Sequence, residues 1–145
     1  MRKTTKIILA ISAALTCVCA ALIYFLFHGY FDVGLFQVKQ AVWFSPNQIA
    51  VVAERSDKEA LGGLEYFVLI GDHVPSPAEL KHALYSDAPV FSAGDECLSL
   101  RWASQNNLVI ECKGGVLAAD HINRQKSQSG KILVSYKNIG RFDGF

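Results

Sequence analysis

Ile7 to Phe27 is a run of twenty-one residues without a charge, and Arg2, Lys3 and Lys6 precede it. A hydrocarbon core about 30 Å thick takes roughly 20 apolar residues at about 1.5 Å rise each. The run therefore predicts one membrane-spanning helix that starts at Ile7, passes Leu15 and Ile23 and ends at Phe27. Membrane lipid is then the first partner of the chain. A cleaved signal peptide shares the basic start, and Val18-Cys19-Ala20 resembles a cleavage site. Against cleavage, Ala21 to Phe27 carry the apolar run through that site, beyond the usual h-region of about 7 to 15 residues. Neither Cys17 nor Cys19 lies in a lipid-attachment context. They are also about 200° apart around a helix, too far to bond each other. Tyr24, Phe25, Phe27, Tyr30 and Phe31 add aromatic bulk at the outer end, where such rings favour the headgroup layer.

Charge sets the expected orientation. Three cations and no acid precede the run, and all thirteen acidic residues follow it. The positive-inside rule places residues 1–6 in the cytoplasm and the rest, after a span at 7–27, in the periplasm or outside the cell. Residues 28–40 read as a juxtamembrane stalk and 41–145 as an extracytoplasmic β-rich domain at the inner, cytoplasmic membrane. From His28 onward, eleven Lys or Arg face thirteen Asp or Glu, a formal charge of −2. No dense basic patch exists to neutralise phosphates, so nucleic acid is not an expected partner. The loose cluster Arg124, Lys126 and Lys131 reads as a solvated loop.

A domain of about 100 residues buries a core with little stability to spare. Cys97 and Cys112 lie in the exported part, and an oxidising compartment lets them pair. Leu98-Ser99-Leu100-Arg101-Trp102 alternates apolar with polar, and Leu108-Val109-Ile110 is branched, so two strands flank a polar turn. Folding that hairpin about Ser104 and Gln105 puts Cys97 opposite Cys112, within reach of a disulfide. An earlier hairpin joins Val42-Trp43-Phe44 to Gln48 through Glu54, with Pro46 and Asn47 at its turn. This aromatic-Ser-Pro-Asn turn resembles the aromatic-Ser-Pro-Asp-Gly hairpins of β-propeller blades. A propeller needs several blades of about 40 residues, so only the hairpin style is shared.

Leu64 to Gly71 predicts a buried strand after the turn Leu61-Gly62-Gly63. Ser76, Pro77 and Glu79 form a capping box for a helix over Ala78 to Tyr85, with Leu80, Ala83 and Leu84 on its apolar face. Val90-Phe91 and Val116 to Ile122 predict two more strands, Asn123 to Gly130 an exposed polar loop, and Lys131 to Ile139 a closing strand. The expected fold is mostly β: a small antiparallel sheet or sandwich of six or seven strands with one short helix, preceded by a single N-terminal transmembrane helix.

No Gly-x-Ser-x-Gly, no phosphate-cradling glycine loop and no helical histidine pair is present, so neither an enzyme nor a cofactor is expected. His73, His82 and His121 do not follow a familiar metal-ligand spacing and are expected as single exposed side chains, with no metal. Asp120 and His121 are neighbours on a predicted strand and would point to opposite faces. Trp43 and Trp102 are expected in the core beside their turns. What remains is interaction, through sheet edges before loops such as Asp57 to Gly63. Two function classes follow. One is a single-pass membrane-anchored module whose domain binds a protein partner. In layout it resembles the immunity proteins that neutralise periplasm-acting toxins of interbacterial secretion systems. The other is a subunit or small-molecule sensor of an envelope complex.

Overall fold

A computed structural model describes residues 3–25, 34–57 and 63–142 of the chain. It has two compact units, Met1–Val33 and Gly34–Phe145. In the first, α1 (Lys3–Phe25) runs 23 residues, about 34 Å at 1.5 Å each. Its stretch Ile7–Tyr24 has a mean hydropathy of 2.5, long and apolar enough to cross a membrane. Ile7, Leu15 and Ile23 are all exposed. A helix apolar on every side needs an apolar surrounding. Thr16 Oγ1 donates to Ser12 O (2.9 Å), which satisfies the hydroxyl inside the helix itself. Phe27, the far end of the expected span, lies outside the described residues, as do Arg2, Tyr30 and Phe31.

The second unit is a two-layer β structure with one helix packed on an outer face. Its elements are β1 (Gly34–Ser45), β2 (Gln48–Asp57), β3 (Leu64–Gly71), α2 (Pro77–Leu84), β4 (Phe91–Ala93), β5 (Leu98–Ser104), β6 (Asn107–Cys112), β7 (Ile122–Gln125), β8 (Gln128–Ser129) and β9 (Ile132–Lys137). One sheet has the order β1-β2-β3-β4-β7 and the other β5-β6-β9-β8. That is more strand than the small sheet expected. It is also mixed, because β6 and β9 pair in parallel. A parallel pair needs a crossover of a dozen residues or more, and residues 113–131 supply it by passing through the other sheet as β7.

Two cores share the first sheet. Ala50, Val52, Val68 and Phe91 face Leu100, Leu108 and Ile110 of the second sheet. Ile49, Val51, Phe67 and Leu69 face the other way, onto Leu80 of α2. β2 and β3 are covered on both sides, which is why Ile49 to Ala53 and Phe67 to Leu69 are unbroken apolar runs. The capping box of α2 is present: Ser76 Oγ accepts from the Glu79 N–H and Glu79 Oε2 accepts from the Ser76 N–H (2.7 Å).

Several boundaries differ from the sequence reading. Gly34 to Gln40, read as part of a stalk, are the first half of β1 and pair with Val52 to Asp57. Residues 116–121 make one isolated bridge, Leu117 to Ile139, and a short 3-10 turn over Ala119–His121. The polar stretch read as an exposed loop supplies β7 and β8 instead. Its basic residues are tied down: Arg124 Nη1 donates to Ser86 O (2.9 Å) and Lys126 Nζ pairs with Asp87 (2.9 Å), clamping the turn after α2. The turn Leu61-Gly62 lies outside the described residues.

Candidate functional site

β1 and β5 are the edge strands of their sheets, and they meet on one side of the domain. The Trp102 Nε1–H donates to Val42 O (2.9 Å) and the Leu100 N–H to Gln40 Oε1 (3.2 Å). Beside these bonds lies an open cleft of about 330 Å³ with Lys39, Gln40, Tyr66, Glu96, Ser99 and Lys113 among its walls. Paired with Lys39 of that wall is Glu54, the one charged side chain buried among the described residues, 5% exposed.

Strand register assembles the surroundings of Glu54. Gln37, Glu54 and Tyr66 are cross-strand partners in one row, and side chains opposite each other in a sheet interact directly. Gln37 Nε2 donates to Glu54 Oε1 (2.8 Å), and Lys39 Nζ stands 3.0 Å from Oε2. Lys39 reaches it because β1 carries a bulge. Val38 pairs with Ala53 and Gln40 with Val52, which leaves Lys39 as the extra residue. Lys39 also lies 3.7 Å from the exposed Glu96.

Burial pushes the Glu54 carboxyl up, but the hydrogen bonds from Gln37, Lys39 and Tyr66 outweigh it and hold the group below the usual carboxylate range. Burial first, then Glu54, pushes the Tyr66 phenol up to about 12. A carboxylate held by the Gln37 amide and the Lys39 ammonium is a poor proton acceptor, so Glu54 serves to fix the position of Lys39 in the wall of the cleft. Its folded pKa is depressed, so its stabilising contribution is full above the unfolded value and is lost as pH falls through the folded one. Lys39→Met should reverse the balance. Burial then dominates, the carboxyl moves above its unfolded value, and the variant is least stable near neutral pH and recovers relative to the unchanged chain as pH falls toward 5. Denaturant unfolding at several pH values, with an NMR titration of the Glu54 carboxyl carbon, checks this. A Glu54 titration that stays below the usual carboxylate range in the variant would contradict it.

The other sequence candidates fall elsewhere. Cys97 and Cys112 are joined, with Cα atoms 4.7 Å apart. The hairpin turns about Gln105 and Asn106, one residue later than the sequence reading, so Leu98 is opposite Cys112 and Cys97 is diagonal to it. His73 and His121 are exposed but not single. His73 Nδ1 is 2.6 Å from Asp72 Oδ1 and its Nε2 3.0 Å from Glu79 Oε1, while His121 Nδ1 is 2.7 Å from Asp95 Oδ2. Asp72, then Glu79, raises the His73 pKa, and Ser76 holds Glu79 down at about 2. Asp120 and His121 sit in the 3-10 turn, not on a strand. Among the described residues no three His, Cys, Asp or Glu side chains converge as a metal ion would need.

The aromatic residues divide. Trp102 is half-buried, whereas Trp43 is 48% exposed and Phe44 44%. Val42 packs toward the inter-sheet core, so Trp43, its neighbour along the strand, points to the opposite face of an edge strand. Phe44 meets Trp102 edge-on with centroids 5.9 Å apart, and Gln48 Nε2 donates to Gln105 O (2.7 Å), so the two hairpin turns form one uncharged aromatic tip. Sequence reasoning missed the Lys39–Glu54 pair. Its signal was Glu54 in phase with Ala50 and Val52, an acid on the buried face of a doubly covered strand. No family model, no curated protein and no solved structure matches this chain.

Proposed function

We propose that this chain is a single-pass membrane-tethered binding module, with its N-terminus in the cytoplasm and a domain that holds a protein partner beyond the cytoplasmic membrane of a bacterium. Neutralising an envelope-acting toxin is the specific task this layout suits. One observation carries the reading: Trp43 and Phe44 stand exposed at the turn end of β1, nine and ten residues along the strand from Gly34. At about 3.3 Å per residue that is roughly 30 Å from the end at which the chain enters the domain. The flanking turns Ser45-Pro46-Asn47 and Ser104-Gln105-Asn106 carry no charge. Exposed Trp with neutral polar neighbours is the composition of interface centres, where aromatic anchors carry much of the binding energy. The Cys97–Cys112 bond suits an oxidising compartment.

Sheet edges were the expected docking site, but two features weaken β1 in that role. The bulge at Lys39 interrupts its ladder, and Val42 O is already taken by Trp102. The tip is the better candidate. The full chain in detergent, tagged and used to capture proteins from the source cell envelope, tests the reading. Trp43→Ala with Phe44→Ala should lower recovery of a near-stoichiometric partner by about tenfold or more, as loss of two anchors implies. Thermal stability should change by less than about 1 kcal/mol, as for exposed sites. Undiminished capture by the double variant would remove the tip from the interface.

A further inference from the structure

We infer that the cleft between β1 and β5 is a binding site for a carboxylate, supplied by a small organic acid or by the C-terminus of a peptide. This goes beyond the protein-partner reading and does not rest on it. The inventory of hydrogen-bonding groups carries the inference. Lys39, Gln40, Ser99 and Lys113 line the cleft. The Gln40 amide is oriented by the Leu100 N–H, which donates to its Oε1, so its NH₂ is left as a donor. Both lysines are donors only, and the Ser99 hydroxyl can donate. The Tyr66 hydroxyl, also in the wall, can donate as well. The one carboxylate among the lining residues is Glu96. A wall rich in donors matches a ligand rich in acceptors, and a carboxylate offers only acceptors.

Glu96 marks where such a group would sit. Its carboxylate lies 3.7 Å from Lys39 Nζ, on a side chain that is 72% exposed. So loose and solvated a pair contributes little, and an incoming carboxylate can replace it at small cost. Lys39 is held for that purpose by the much closer Glu54, at 3.0 Å. Lys113 makes no ion pair among the described residues. Its position is set by its own N–H, which donates to Cys97 O (2.8 Å), and by the disulfide at Cys112 beside it. Val52 and Leu98 add an apolar wall, so an acid with a branched apolar side chain fits better than a bare anion. The volume lies within the range usual for small-molecule sites, about 300 to 1,000 Å³.

Isothermal titration of the full chain in detergent with N-acetylvaline, and with its uncharged amide, tests the site. The acid should bind saturably and the amide about tenfold more weakly or not at all. Lys113→Gln should weaken the acid about tenfold, and Glu96→Gln should strengthen it severalfold by removing the resident carboxylate. Both positions are exposed, and matching melting curves show that the variants fold. The acid-against-amide comparison in the unchanged chain needs no variant at all. A short peptide ending in a free valine, compared with the same peptide amidated, separates the two sources. Tighter binding of the peptide acid than of N-acetylvaline assigns the site to chain termini, and equal or weaker binding assigns it to small acids. Equal binding of acid and amide, no saturable binding by any acid, or indifference to Lys113→Gln would each overturn the site.

Discussion

Phe91→Ala should lower the melting temperature of the domain by on the order of 15 °C. Phe91 is fully buried in the inter-sheet core. It pairs with Val68 in β3 and Gln125 in β7, and its ring is 5.6 Å from that of Tyr136 in the second sheet. Phe to Ala in such a place costs about 3–5 kcal/mol, because transfer energy and a cavity are lost together. For a domain near 100 residues each kcal/mol moves the midpoint by roughly 4 °C or more. The effect should exceed that of Phe44→Ala, whose ring is 44% exposed. β4 has only three residues, so little backbone pairing offsets the loss. A scan of both variants by circular dichroism decides the matter, and a shift of only a few degrees for Phe91→Ala would mean that the two sheets are not held through this ring.

The second large effect concerns the staple. Cys97 and Cys112 are 15 residues apart, and closing a loop of that size stabilises by about 3 kcal/mol in the chain-entropy account. Replacing both by Ala should therefore lower the midpoint by on the order of 10 °C. Reductant should bring the unchanged chain to the same value and leave the double variant where it is. The remaining cysteines, Cys17 and Cys19, are free thiols in α1, so they do not confuse the comparison. A double variant as stable as the unchanged chain would show that the hairpin and its neighbours hold this region without help.

Much of the fold was readable wherever local chemistry decides it. Pro46-Asn47 placed the first turn, the Ser76, Pro77 and Glu79 pattern started α2, and Leu64 to Gly71 is a strand with those same limits. Readability failed where one residue shifts a register or where pairing is remote. The one-residue displacement of the β5–β6 turn moved Cys97 off its expected partner without preventing the bond. After Ile122, β7 and β8 are built from Asn, Arg, Gln and Ser, residues with poor strand signals, and they form because β4 and β9 offer hydrogen-bonding edges. The parallel β6–β9 pair joins strands 20 or more residues apart with nothing local to announce it. The cleft is harder still, since its walls come from β1, β2, β3 and β5, from Glu96 before β5 and from Lys113 after β6. Trp43 was placed in the core as a residue that ends a strand beside a turn, whereas its exposure follows from that strand lying at the edge of its sheet.

The bulge at Lys39 makes β1 a sentence with a shift in its reading frame. Before it, Leu35 and Gln37 share the face of Glu54. After it the even positions Gln40 and Val42 take that face over. Deleting Lys39 would therefore remove the charge and the bulge together. With the hairpin turn held in place, Val38 would adjoin Gln40 directly opposite Ala53 and Val52, so Gln37 would keep its place beside Glu54 and Phe36 its place in the core beneath α2, in a regular ladder. Such a strand absorbs the loss of one residue at the bulge, whereas the loss of two, Val38 and Lys39, would set Gln37 opposite Ala53 and turn over everything before it. A scan of one- and two-residue deletions along residues 34–40 would expose that parity, a kind of information that no substitution at Lys39 can carry.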